Sequence, residues 1–218
     1  MKPSNIIISD ITNMKEKFCI AGWDIGELRM KRLLIDRGYW DEANLAKLKG
    51  HSWIVIHNEV LKEPRDWPHR TEDVNVDLNT LQIKESYSKG KDIALRVRAS
   101  VSDNISSIFN NKVKENSYIL KSTKCPSLGA IDLPAENVEF VIENGKLRAN
   151  IIDNDGKKYC LKVSCKHIRD IFEDSKNIET LNKSVLSVGR IHLRIGLARP
   201  FLMQENHCYL MLNGLFLY

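Results

Sequence analysis

Val138-Glu139-Phe140-Val141-Ile142, Asn144-Gly145, Lys146-Leu147-Arg148-Ala149-Asn150-Ile151-Ile152 and Tyr159-Cys160-Leu161-Lys162-Val163 together decide how this chain folds. The runs are dense in β-branched and aromatic residues, which suit a pleated, half-buried strand. Asn144-Gly145 supplies the two positive-φ positions that a tight hairpin needs. Asn154-Asp155-Gly156 makes the next turn, so the stretch reads as a three-stranded meander. Lys166 to Lys176 follows, with Ile168, Ile171 and Phe172 spaced for one apolar helix face. Arg190–Arg199 and Cys208–Tyr218 then read as two closing strands.

Meander, helix, two strands is the element order of the OB fold, a five-stranded Greek-key barrel. The upstream half repeats it more loosely. Asn5–Asp10, Lys17–Trp23 and Leu28–Leu34 read as strands, Asp41–Leu48 as a short helix, and His51–Asn58 as a further strand. Leu95, Val97, Ala99 and Val101 alternate with Arg96, Arg98 and Ser100, which predicts a strand, and Ser102–Asn111 predicts a helix. The expected architecture is therefore mostly β with a few short helices. Two packed OB-like barrels span residues 1–134 and 135–218, with no flexible linker between them.

With 43% hydrophobic and 28% charged residues in 218, the chain can bury ordinary cores. Its net charge of +5 is mild, and the excess is strongest over residues 84–134, with nine basic and five acidic side chains. Such an excess favours an anionic partner only where it gathers on one face. No apolar run approaches the 18 or so residues of a membrane span. Five scattered cysteines without a secretory leader pattern imply reduced thiols and a cytoplasmic setting.

Lys17-Phe18-Cys19-Ile20-Ala21-Gly22, the loop Pro68-His69-Arg70-Thr71-Glu72-Asp73, and the ending Leu193–Phe201 with Cys208–Gly214 carry a family resemblance. The chain resembles bacterial proteins described as dual OB domain-containing, over nearly its whole length. The resemblance implies the two-barrel fold and a nucleic-acid or antiviral-defence setting. It implies no catalytic residues.

Candidate site residues follow from charge on strands. Alternation places Arg190, His192 and Arg194 opposite Ile191, Leu193 and Ile195, and it sets Arg96 and Arg98 in the same way. Guanidinium groups on a barrel face suit phosphate contacts. Trp67, between Arg65 and Arg70 in a proline-bounded loop, could stack a base, and Trp23, Tyr39, Trp40 and Tyr209 are further ring candidates. The same residues also fit solvated strand faces and a structural lid. No nucleotide-binding glycine loop or nucleophile elbow occurs, so neither an enzyme nor a cofactor is expected. The leading expectation is a binding module for single-stranded DNA or RNA. An adaptor docking a partner protein and a pocket for a nucleotide or modified base are the alternatives.

Cys160-x4-Cys165-x-His167 with His207-Cys208 lacks the paired Cys-x2–4-Cys spacing of structural zinc. Elemental analysis of the purified protein is expected to find no stoichiometric zinc. One tightly held zinc per chain would contradict this reading.

Overall fold

A computed structural model describes residues 1–61, 68, 72–175, 177–200 and 206–218. Its first half is a closed barrel of β1 (Lys2–Met14), β2 (Lys17–Asp24), β3 (Arg29–Leu34), β4 (Ser52–Val60) and β5 (Asp73–Ser86). The strand order is β1-β2-β3-β5-β4 with β3 and β5 parallel, and a short helix, α1 (Glu42–Ala46), lies between β3 and β4. One strand, β1, closes the ring. Residues 2–7 pair with β4 and residues 6–14 with β2. Ile6, Ile8, Ile20, Leu33, Ile54 and Val74 fill the centre against Trp40, whose Nε1 donates to the Leu33 carbonyl at 2.7 Å.

The connection holds α2 (Gly90–Arg96), α3 (Ile105–Ile108) and β6 (Tyr118–Leu120). The strand expected from the 95–101 alternation is absent there. Gly90–Arg96 is helical and Arg98–Ser100 a single 3-10 turn. Ile93, Ala94 and Val97, spaced i, i+1, i+4, form the buried stripe, and that period outweighs the two-residue one.

The second half contains β7 (Leu128–Pro134), β8 (Val138–Glu143), β9 (Lys146–Ile152), β10 (Lys158–Val163), α4 (Lys166–Ser175), α5 (Ile178–Leu186), β11 (Arg190–Leu197) and β12 (His207–Leu217). Its order is β7-β11-β12-β10-β9-β8, with β10 and β12 parallel. The role of β1 is here divided. β7 pairs with β11 and β8 pairs with β9, on either side of a 3-10 turn at Ala135–Asn137. Residues 134/135 lie at the junction of β7 with that turn, and β6 joins the same sheet through β12. Among the described residues no helix is long and apolar enough to cross a membrane.

The barrels meet where the outer faces of β1, β2 and β3 pack against β7, β11 and β12. A bulge between Ile8 and Asp10 shifts the phase of β1, so Ile11 continues the core face and Asp10 is turned outward. It meets Arg194 of β11, whose Nε lies 3.1 Å from Asp10 Oδ2. Arg194 Nη1 also donates to Ser100 Oγ at 2.8 Å, and the side chain is fully buried. Gly214, opposite Arg194, permits the approach. A Cβ there would lie 2.9 Å from Arg194 Cγ and 3.1 Å from the Ser9 carbonyl oxygen. Around this pair Ile7, Ala21, Trp23 and Met30 pack on Val97 and Leu128. A second ionic group lies beside it. Arg32 reaches Asp73 at 2.5 Å and Ser127 Oγ at 3.0 Å, and Arg199 reaches Asp73 at 2.7 Å.

Removing one member of a buried pair strands the other charge at a cost of roughly 3–5 kcal/mol. Arg194→Ala is expected to lose stability on that scale in urea unfolding, whereas Asp10→Leu with Arg194→Met should lose far less. A loss below about 1 kcal/mol for the single variant would contradict the buried-pair account. Acid should weaken the first barrel. Burial pushes the Glu27 carboxyl up, but Lys2, Lys31 and Arg29 outweigh it and hold the group at about 2, against an ordinary 4.5. A depressed carboxyl contributes stability above its unfolded value and loses it as pH falls through the folded one. Unfolding free energy should therefore decline between about 4.5 and about 2, and Glu27→Gln should flatten that decline.

Candidate nucleic-acid interface

OB barrels take oligonucleotides on the outer face of their second and third strands and on the adjoining loops. In the first barrel that face is closed. Ala21 and Trp23 of β2 and Met30 and Arg32 of β3 lie under Val97, Ser127, Leu128 and Arg194. In the second barrel the equivalent strands, β9 and β10, are open on their outer side. Ala149, Ile151, Tyr159 and Leu161 point inward, and Lys146, Arg148, Asn150, Lys158, Cys160 and Lys162 point out.

Arg148 and Lys162 are direct cross-strand partners, and Lys146 is two residues from Arg148 on the same face. Arg169 and Phe172 of α4 join them around a hollow of about 450 Å³. Arg148 is paired with Glu143 at 2.7 Å and Arg169 with Glu173 at 3.3 Å. Lys146 and Lys162 have no ion-pair partner among the described residues. Partial burial, then the like charges of Arg169, Lys146 and Arg148, hold Lys162 below the ordinary lysine range. An anion seated there would offset the like charges.

The parallel pairing of β10 with β12 extends this face to rings. Lys162 lies opposite Met211, so His207 and Tyr209 share its side of the sheet, while Cys208 and Leu210 enter the core. Tyr118 of β6 pairs with Tyr209 and stacks on His207, with ring centroids 3.8 Å apart. Tyr118 and Tyr209 are 5.9 Å apart, and His207 Nδ1 lies 3.3 Å from the Tyr209 hydroxyl. One surface thus carries lysines without ion-pair partners and a cluster of three rings. The family model described as "Dual OB-containing domain" matches residues 4–215.

The chain belongs to the dual OB-containing domain family.

No curated protein matches it by sequence. The solved structures that resemble this dual OB chain include two HIN domains. The HINa domain of Ifi202, in complex with 20-bp double-stranded DNA, has a TM-score of 0.40 and 14% identity, covering 100% of this chain and 95% of that one. The tetrameric p202 HIN2 has a TM-score of 0.34 and 12% identity, covering 97% and 91%.

The charged residues expected on strand faces are dispersed in this dual OB structure. Arg194 belongs to the barrel contact. His192 is buried with Nδ1 2.8 Å from Asp132 Oδ1, and burial, opposed by that carboxylate, lowers its pKa. The alternation along β11 is real, but both of its faces are covered by protein, so neither side chain reaches solvent. Arg190 is exposed at the start of β11. Arg96, at the end of α2, pairs with Glu85 at 3.3 Å and lies 5.9 Å from the Trp53 ring and 5.8 Å from the Tyr87 ring. Arg98 is exposed on the 3-10 turn. Trp67, Arg65 and Arg70 lie outside the described residues. Trp23 and Trp40 are buried, Tyr39 is half-buried between β3 and α1, and Tyr209 falls on the open face.

Lys146, Arg148 and Lys162 are not among the residues that sequence reasoning selects, although Lys146-x-Arg148 directly follows the Asn-Gly turn that fixes the outward phase. Tyr118 and His207 carry no local signal, because they meet only through the β6–β12 pairing.

Proposed function

We propose that this chain binds single-stranded DNA or RNA on the β9–β10–β12 face of its second barrel. The observation that carries the reading is a ring cluster on β6 and β12 beside an open strand-two/strand-three face, whose lysines have no ion-pair partner among the described residues. Lys146 and Lys162, with Arg148 and Arg169 beside them, meet phosphates. Tyr118, His207 and Tyr209 offer flat surfaces to bases. Basic grooves with aromatic platforms are how single strands are held without sequence readout, at about 1–3 kcal/mol per stacked base. Bases in a duplex already stack on one another, so half-buried surface rings favour an unpaired strand. The reading is one of binding and not of catalysis.

Counterion release sets the test. On a single strand each neutralised phosphate contributes a slope of about −0.7 to the logarithmic salt dependence. Lys162→Ala and Lys146→Ala should each flatten the measured slope by about 0.7. Tyr209→Ala should weaken binding by roughly 1–3 kcal/mol with the slope unchanged, since stacking releases no counterions. Arg96→Ala, in the connection and away from this face, should alter neither. Bound oligonucleotide should also raise the Lys162 pKa, followed by its side-chain NMR signal at alkaline pH. Affinity weaker than about 10⁻⁴ M for short DNA and RNA single strands at physiological salt would end this reading.

A further inference from the structure

A cavity of about 410 Å³ lies where the barrels adjoin, lined by elements of both halves and separate from the β9–β10–β12 face. That is the size range of small-molecule sites, roughly 300–1,000 Å³, and domain junctions are a common place for them. Ile93, Ile168, Leu181, Val185 and Leu215 supply apolar lining. Phe216 adds a ring, and His51 meets it edge-on with centroids 5.0 Å apart at 84°.

His51 gives the cavity a direction. Its Nδ1 lies 3.1 Å from the Ile8 carbonyl oxygen. A carbonyl only accepts, so Nδ1 carries the hydrogen and Nε2 presents a lone pair. Burial is the main influence on His51 and lowers its pKa, which keeps the ring neutral. Nε2 has no hydrogen-bond partner among the described residues. The charges at the rim are already matched, because Lys166 Nζ is 2.6 Å from Asp170 Oδ2. An uncharged ligand therefore fits better than an ion. Apolar walls, a perpendicular ring pair and a lining acceptor without a partner among the described residues favour a flat aromatic body with a hydrogen to donate.

We propose that this cavity is a ligand site for a planar, uncharged heteroaromatic of nucleobase size, which donates a hydrogen bond to His51 Nε2. Adenine is a suitable probe for the full chain, with benzene as the equally flat compound that lacks a donor. Adenine is expected to bind once per chain with a dissociation constant of about 1 mM or tighter. It should shift the ¹⁵N resonance of His51 Nε2, and His51→Phe should weaken it about tenfold. Ser184 lines the cavity from the exposed side of α5, and its Oγ donates to the Thr180 carbonyl. Ser184→Trp should thus block adenine while leaving the folded state and the salt-dependent binding of oligonucleotides unchanged. The proposal fails if adenine leaves the His51 Nε2 resonance unmoved, if Ser184→Trp binds adenine as well as the parent chain, or if benzene binds as tightly as adenine.

Discussion

The guanidinium of Arg194, fully buried against the Asp10 carboxylate, is the interaction from which the arrangement of this molecule follows. Two charges removed from water are tolerated only with close geometry and further hydrogen bonds. The structure supplies both through irregularities in regular strands. A bulge at Ser9 turns Asp10 out of the first barrel, and a register shift beyond Arg194 leaves Asn213 as the extra residue of β12. Apolar contacts of Ile7, Trp23, Met30 and Leu128 surround the pair and keep it dry. A pair of this kind contributes little net stability but penalises every arrangement of the barrels that would separate its members.

Fixing that contact also decides which surface remains for a ligand. Similar topology gives each barrel a strand-two/strand-three face, yet one of the two is consumed by the contact and the other looks outward. The asymmetry shows in composition. The closed face carries Ala21, Trp23 and Met30 with Arg32 tied to Asp73, and the open one carries Lys146, Arg148, Lys158 and Lys162. Repeated folds need not mean repeated sites.

Much of the fold is legible in the sequence, because local patterns determine it. The 138–163 meander is written in strand-forming runs and an Asn-Gly turn, and the strands at 190–197 and 207–217 show clear alternation. Where local signals conflict, reading fails. Leu95, Val97 and Ala99 alternate, but Ile93, Ala94 and Val97 form a helical stripe that finds a buried place. The strand at Asp73–Ser86 escapes a sequence reading, because its polar residues interrupt the apolar pattern. The site is the least legible part. Alternation reports that a side chain is on the far side of a strand, not whether water or a second barrel waits there. For Arg194 and His192 it is protein. The ring cluster of Tyr118 with His207 arises from pairing between segments almost ninety residues apart, which no local window contains.

The divided opening strand of the second sheet has a consequence for how the polypeptide can be cut. β7 ends at Pro134 and β8 begins at Val138, and both are needed, one to cover β11 and the other to cover β9. A fragment that begins at residue 135 would expose the whole hydrogen-bonding edge of β11, with Leu193 and Ile195 along it, and would also lose the β6 strand beside β12. Bare edges of that kind recruit other chains. The two barrels are two in architecture, but the segment between them is structural material of the second, and proteolysis within residues 118–134 would leave an aggregating remnant where the eye sees a linker.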